Sequence, residues 1–400
     1  MRGYRIGRAF GIPIELNVTF LLVLPLFAWV IGAQVGRWAT LVNGLWGAGF
    51  DAAMLDAGTL PWILGILAAV GLFVGVVLHE LGHSLVAMRY GFPIESITLW
   101  LFGGVAQLDE MPEDWRQELV IAIAGPAVSI VIGAASYVAF VLVPPSSSIV
   151  LESTRFVLSY LAIMNLALAA FNLLPGFPMD GGRVLRALLA RTRPYARATQ
   201  IAAEVGKGFA ILLGLFGLLA VFNPILIALA FFIYIGAAGE AQQTTMRAAF
   251  EGVVVRDIMT PAADVQTVDA GASVADLFDL MFRERHTGYP VERDGEIVGL
   301  VTLEDAQAVR EVERDAFRIE EIMTADVQTV SPDTDVMTAL ETLENNDIGR
   351  LLVHDGDDFV GILTRTDVMT ALSIIKTSGR YGDVPRAEEQ PEIVRPGRRG

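Results

Sequence analysis

The stretch Trp62–His83, WILGILAAVGLFVGVVLHELGH, decides how this chain folds. From Trp62 to Leu78 it contains no charged residue, and about 20 apolar residues in a helix cross the hydrocarbon core of a bilayer. It then closes on three ionisable residues, His79, Glu80 and His83. A charge at such depth costs about 2.5–3.5 kcal/mol or more on insertion scales, so an apolar span keeps one mainly for function. On a helix, positions 79 and 83 lie one turn apart on one face, where two imidazole nitrogens can meet one cation. Glu80 stands beside them, within reach of a water. This is the HExxH arrangement, two zinc ligands and a general base, and zinc brings the pKa of a water from ~15.7 towards ~7. In a soluble protein the same five residues are a weak match that chance supplies; at the end of a span they point to a metal centre.

The rest of the chain divides around this span. Residues 1–250 carry 14 acidic and 14 basic side chains, whereas residues 251–400 carry 31 acidic and 15 basic ones. The whole net charge of −16 therefore sits in the C-terminal part. The apolar runs sit in the N-terminal part, roughly at Ile12–Ile31, Trp62–Val86, Leu119–Val143, Phe156–Leu174, Ile201–Phe222 and Pro224–Ala238. The expected fold is a polytopic α-helical membrane domain of about six spans, followed by a soluble part. Phe92–Leu108 is too short for a span and rich in strand formers, and reads as a small β hairpin dipping into the membrane. Arginines concentrate at the N-terminus and in the loop after the fourth run, which places both termini of a multi-pass protein of the cell membrane in the cytoplasm. The acidic balance excludes nucleic acid as a partner. There is no cysteine, so thiolate ligands, disulfides and a cysteine nucleophile are excluded.

A zinc site needs a third protein ligand and an open position. With no cysteine and no further histidine before residue 286, that ligand is a carboxylate. Asp180 is the leading candidate, in Asn172-Leu-Leu-Pro-Gly-Phe-Pro-Met-Asp180-Gly-Gly-Arg183, where prolines and glycines unwind the helix at membrane depth. Helix capping is the alternative for Asp180. Asn172 is a candidate to donate a hydrogen bond to the oxyanion of a tetrahedral intermediate; packing between helices is its alternative.

These motifs, with Phe102-Gly103-Gly104-Val105 between them, resemble the site-2 protease family of intramembrane metallopeptidases over about residues 4–240. The resemblance implies a six-span core, cleavage of a peptide bond in a transmembrane protein substrate within the lipid bilayer, and one catalytic Zn2+. It implies His79, His83 and Asp180 as ligands, Glu80 as base and Asn172 as an oxyanion or substrate contact. Gly103 and Gly104 match the segment that pairs with an unwound substrate strand. The sequence departs from the family at Asn17-Val18, where many members carry His-Trp.

The C-terminal part repeats. Asp257-Ile-Met-Thr260 recurs as Glu321-Ile-Met-Thr324, and Gly299-Leu-Val-Thr-Leu-Glu-Asp305 as Gly361-Ile-Leu-Thr-Arg-Thr-Asp367. Two copies of about 60 residues are too few for a solenoid and suggest a pseudo-symmetric pair. The repeat resembles a tandem pair of CBS domains, an α+β unit. That resemblance implies an adenine nucleotide held between the copies, with Thr302 and Thr364 towards phosphate and Asp305 and Asp367 towards ribose, and it allows a homodimer. His286 and His354 read as solvated or packed structural residues. The expected divisions are 1–240 for the protease domain, 241–254 for a linker, 255–312 and 319–374 for the two CBS domains, and 381–400 for a disordered tail. Two other classes remain: a transporter gated by the CBS pair, and an inactive membrane scaffold. A general base flanked by two imidazoles argues against both.

Overall fold

The computed structural model describes residues 4–100, 103–108 and 114–378. The chain separates into two units, Met1–Gln242 and Gln243–Gly400. The first opens with a hairpin of β1 (Tyr4–Ala9) and β2 (Ile12–Leu16), turning through Phe10 and Gly11, both at positive φ. Asn17 Oδ1 then accepts from the Thr19 amide and hydroxyl, which turns the chain into α1 (Phe20–Gly32). The apolar run expected as one span from Ile12 to Ile31 is thus part strand and part a helix of 13 residues. Alternation of Ile12, Ile14 and Leu16 with Pro13 and Glu15 carries the period of a strand, which overall hydropathy hides. After a bend of 62° comes α2 (Val35–Trp46), then the short α3 (Ala52–Leu55).

The decisive stretch is one helix of 30 residues, α4 (Leu60–Arg89). It leads into β3 (Ile94–Trp100) and β4 (Gly103–Leu108), an antiparallel pair within the expected Phe92–Leu108. Phe102 lies outside the described residues. The pair extends the N-terminal hairpin into a four-stranded sheet ordered β1-β2-β3-β4, with β2 and β3 parallel and β4 at the edge. The parallel pairing needs a crossover, supplied by α1–α4.

Then follow α5 (Trp115–Leu142), α6 (Ile149–Asn172), α7 (Asp180–Ala190), α8 (Tyr195–Leu215, continued by a π-helical stretch to Ala220) and α9 (Pro224–Ala249). Among the described residues five helices are long and apolar enough to cross a membrane, or six if the bent pair α1–α2 counts as one span. The arginine-rich segment after the fourth run is not a plain loop, since Arg183 and Arg186 lie on α7. The last run, short by its apolar residues alone, belongs to a helix of 26 residues. Helices approach closely where glycines remove side chains: a Cβ on Gly75 of α4 would lie 2.6 Å from Asn165 Oδ1 of α6.

The second unit begins α10 (Val255–Ile258), β5 (Thr260–Pro261), β6 (Val268–Asp269), α11 (Val274–Glu284), β7 (Gly288–Arg293), β8 (Glu296–Thr302) and α12 (Leu303–Gln307). It repeats with α13 (Ile319–Ile322), β9 (Thr329–Val330), α14 (Val336–Asn345), β10 (Arg350–Asp355), β11 (Asp358–Thr364) and α15 (Arg365–Ser378). The opening strand of the first repeat, β5, pairs with β11 of the second. Reciprocally, Thr324 of the second repeat bridges Leu300 in β8 of the first. Each repeat so completes the sheet of the other, and Leu300, Leu352 and Ile362 form a shared core between them. The expected tail, 381–400, lies outside the described residues.

Candidate active site

His79 and His83 sit on one face of α4, both buried. Asp180 is the first residue of α7, brought there by the broken segment Leu173–Met179. That break packs tightly: a Cβ on Gly182 would lie 2.5 Å from the Gly176 carbonyl carbon. Glycine at 182 lets the first turn of α7 fold back on the loop and present Asp180 to α4.

Asp180 Oδ2 lies 3.1 Å from His79 Nε2 and 3.2 Å from His83 Nε2, and the two nitrogens stand 3.3 Å apart. Donors each about 2.0–2.1 Å from a tetrahedral zinc stand about 3.3 Å from one another. The triangle therefore has the size of three corners of a zinc tetrahedron. Its imidazole and carboxylate donors also suit zinc, and no other group of three potential ligands of this kind occurs among the described residues. The other ring nitrogens are engaged. His83 Nδ1 donates to the Ile121 carbonyl at 2.7 Å, and His79 Nδ1 lies 2.9 Å from Ser129 Oγ.

Glu80 is half-buried on the adjoining face of α4. Strand β4 passes directly against it, since a Cβ on Gly104 would lie 2.5 Å from Glu80 Cγ. Gly103 is the first residue of the same edge strand. Asn172 is the last residue of α6 and half-buried. Sequence reasoning missed Ile121, Gly125 and Ser129. They fall one helical turn apart on α5, a periodicity that is visible in the sequence, but nothing there tells which helix the imidazoles face.

In the second unit, Thr302 and Asp305 form a reciprocal cap at the start of α12, and Thr364 and Asp367 do the same at α15. The two pairs differ in setting. A cavity of about 650 Å³ is lined by Thr302 and Asp305 together with Thr287, Asp326, Asp347 and Arg350, whereas Thr364 and Asp367 are not among its walls. Arg350, which the sequence reading did not single out, donates to Thr287 Oγ1 at 3.1 Å, and burial pushes its guanidinium below the ordinary arginine value.

A family model for peptidase family M50 matches residues 67–156 and 145–213, and one for the CBS domain matches residues 255–309 and 319–374. A zinc metalloprotease of Methanocaldococcus jannaschii is 37% identical over 380 residues, covering 95% of this chain and 98% of its own. The solved structure of a site-2 protease from Methanocaldococcus jannaschii is 38% identical, covering 60% of this chain and 95% of that one, with a TM-score of 0.41. A solved CBSX2 structure in complex with AMP is 30% identical, over 31% of this chain and 98% of that one, with a TM-score of 0.28.

Fold, donor set and kinship define a membrane-embedded zinc metallopeptidase. The chain belongs to the site-2 protease family, peptidase family M50, and carries a tandem CBS pair after its membrane unit.

Proposed function

We propose that this protein hydrolyses a peptide bond within or near the transmembrane segment of membrane-protein substrates, with His79, His83 and Asp180 holding one zinc ion and Glu80 as general base. The observation that carries this reading is the convergence of three donor atoms at the end of a membrane-length helix, beside a carboxylate that is not one of them. A zinc ion held by His79, His83 and Asp180 would supply Lewis acidity for the scissile carbonyl and the attacking water. Glu80 takes the proton of the attacking water and returns it to the leaving amine. Asn172 donates to the oxyanion from the end of α6. The substrate lies as an added strand along β4, where Gly103 and Gly104 let its backbone pass close to Glu80.

We further assign both termini to the cytoplasm and the domain limits given by the repeat and the motifs. The cavity beside Thr302, Asp305 and Arg350 takes an adenine nucleotide that regulates the protease; pairing of two chains through the CBS units is part of the same reading. Acidic walls, Asp305, Asp326 and Asp347 against Arg350, favour a monophosphate over a triphosphate.

Purified full-length protein with zinc should cleave a model transmembrane substrate, and Glu80→Gln should abolish cleavage while zinc is retained. Cleavage at wild-type rate by Glu80→Gln would overturn the base assignment. Calorimetry of the full chain with AMP, ADP and ATP tests the nucleotide site, and no heat from any of them at low and high salt rejects it. Single cysteines at the exposed Ser147 and Ser373, in a chain that has none, should label from opposite sides of the membrane.

A further inference from the structure

The donor triangle rests on a third helix. Along α5, Ile121, Gly125 and Ser129 recur at four-residue spacing and meet the two imidazoles in turn. The Ile121 carbonyl accepts from His83 Nδ1, a Cβ on Gly125 would stand 2.7 Å from His79 Nε2, and Ser129 Oγ lies 2.9 Å from His79 Nδ1. Ser129 is 0% exposed and His79 3%. A carbonyl only accepts, so the Ile121 contact places the proton of His83 on Nδ1 and leaves Nε2 as the free donor. A hydroxyl can accept or donate, so the tautomer of His79 is settled by its other nitrogen. Nε2 of His79 points at the same place as Nε2 of His83 and Oδ2 of Asp180, and a ligand nitrogen carries no proton. Nδ1 therefore holds the proton and Ser129 accepts it.

We propose that Ser129 is a positioning residue for the zinc site: its hydroxyl holds His79 in the tautomer and ring angle that present Nε2 to the metal. The inference rests on the ligand assignment proposed above. The backbone performs the same service for His83, so Ser129 is the side chain through which this support can be removed. A buried hydroxyl needs a partner, and alanine would fill a purely steric role here as well as serine does. Loss of an outer hydrogen bond to a ligating histidine typically weakens metal binding about 10–100-fold.

The test is zinc affinity of the full chain in detergent, measured by competition with a chelator, for wild type, Ser129→Ala, Ser129→Thr and His83→Ala. The melting midpoint of each metal-stripped protein is measured alongside. Ser129→Ala should bind zinc about 10–100-fold more weakly, and its metal-free stability should fall by less than that loss of affinity. Ser129→Thr, which keeps the hydroxyl, should recover most of the affinity, and cobalt(II) should give it the wild-type absorption spectrum. Zinc affinity of Ser129→Ala within twofold of wild type overturns the proposal. So does a loss of affinity matched by an equal loss of metal-free stability, which is what a packing role produces. If Thr does not fold, the two Ser129→Ala measurements decide alone. Zinc retained by His83→Ala instead rejects the ligand assignment, whereas its loss there with Ser129→Ala unaffected rejects only the role of Ser129.

Discussion

Two glycines stand where the site leaves no room for a side chain. A methyl on Gly125 would fall between the imidazoles, 2.7 Å from His79 Nε2 and 2.7 Å from His83 Cδ2. Protein interiors cannot absorb such an overlap without moving the rings. Gly125→Ala is expected to weaken zinc binding by at least ten-fold, measured by chelator competition, while the helix itself gains propensity. Gly104→Ala presses instead on Glu80 Cγ, at 2.5 Å, and leaves the ligands alone. Full zinc content with kcat reduced about 100-fold is the expected result, because a displacement of about 1 Å at a catalytic group costs that much. Loss of zinc in Gly104→Ala would place β4 against the metal ligands and not the base. Of these residues, His79, Glu80, His83 and Asp180 were legible in the sequence because ionisable groups are rare in apolar runs. Gly125 and Ser129 were not, because glycine and serine are ordinary in any membrane helix.

At the level of elements, the ligand Asp180 depends on where α7 lies, and α7 is gripped by one buried arginine. Arg186 Nε donates to Glu118 Oε1 of α5 and Nη1 to Glu240 Oε1 of α9, both at 2.6 Å, and the guanidinium lies 4.8 Å from the ring centres of both Phe177 and Tyr195. Arg186→Met leaves carboxylates without their counter-charge and is expected to cost about 3–5 kcal/mol, read as a lower midpoint of denaturant unfolding in detergent. Adding Glu118→Leu to Arg186→Met should recover part of that loss, since an apolar pair avoids the buried charge. No recovery would mean that Arg186 acts chiefly through its aromatic contacts. The sequence showed the arginine cluster and read it as a cytoplasmic loop. Hydropathy cannot distinguish a solvated arginine from one that a distant glutamate has drawn inside. The same blindness merged β2 with α1, since a strand and a helix of equal hydropathy read as one run.

For the whole molecule, the charge asymmetry has a measurable consequence. The net −16 belongs to residues 251–400, so self-repulsion bears on the second unit alone. Its exposed ion pairs, Arg256 with Asp333 and Arg293 with Glu320, each contribute about 0–1 kcal/mol and do not offset it. Raising salt from ~0.1 M to ~1 M shortens the screening length from ~10 Å to ~3 Å and should raise the melting temperature of this unit in calorimetry. A fall with salt would mean that attraction between opposite charges outweighs repulsion. The sequence by itself determined the division into an apolar and an acidic part, the helix that ends in His79-Glu80-Leu81-Gly82-His83, the carboxylate after a broken helix, and the twofold repeat. Each is written in local order: a run, a period, a spacing. The tertiary structure alone decided that the N-terminal strands join β3 and β4 in one sheet, that α5 supports both imidazoles, that Arg186 reaches two glutamates, and that Thr302 lines a cavity with Thr287 and Arg350. Those features join residues tens of positions apart. Their partners are chosen by which faces meet when the chain packs, and no local pattern records that choice.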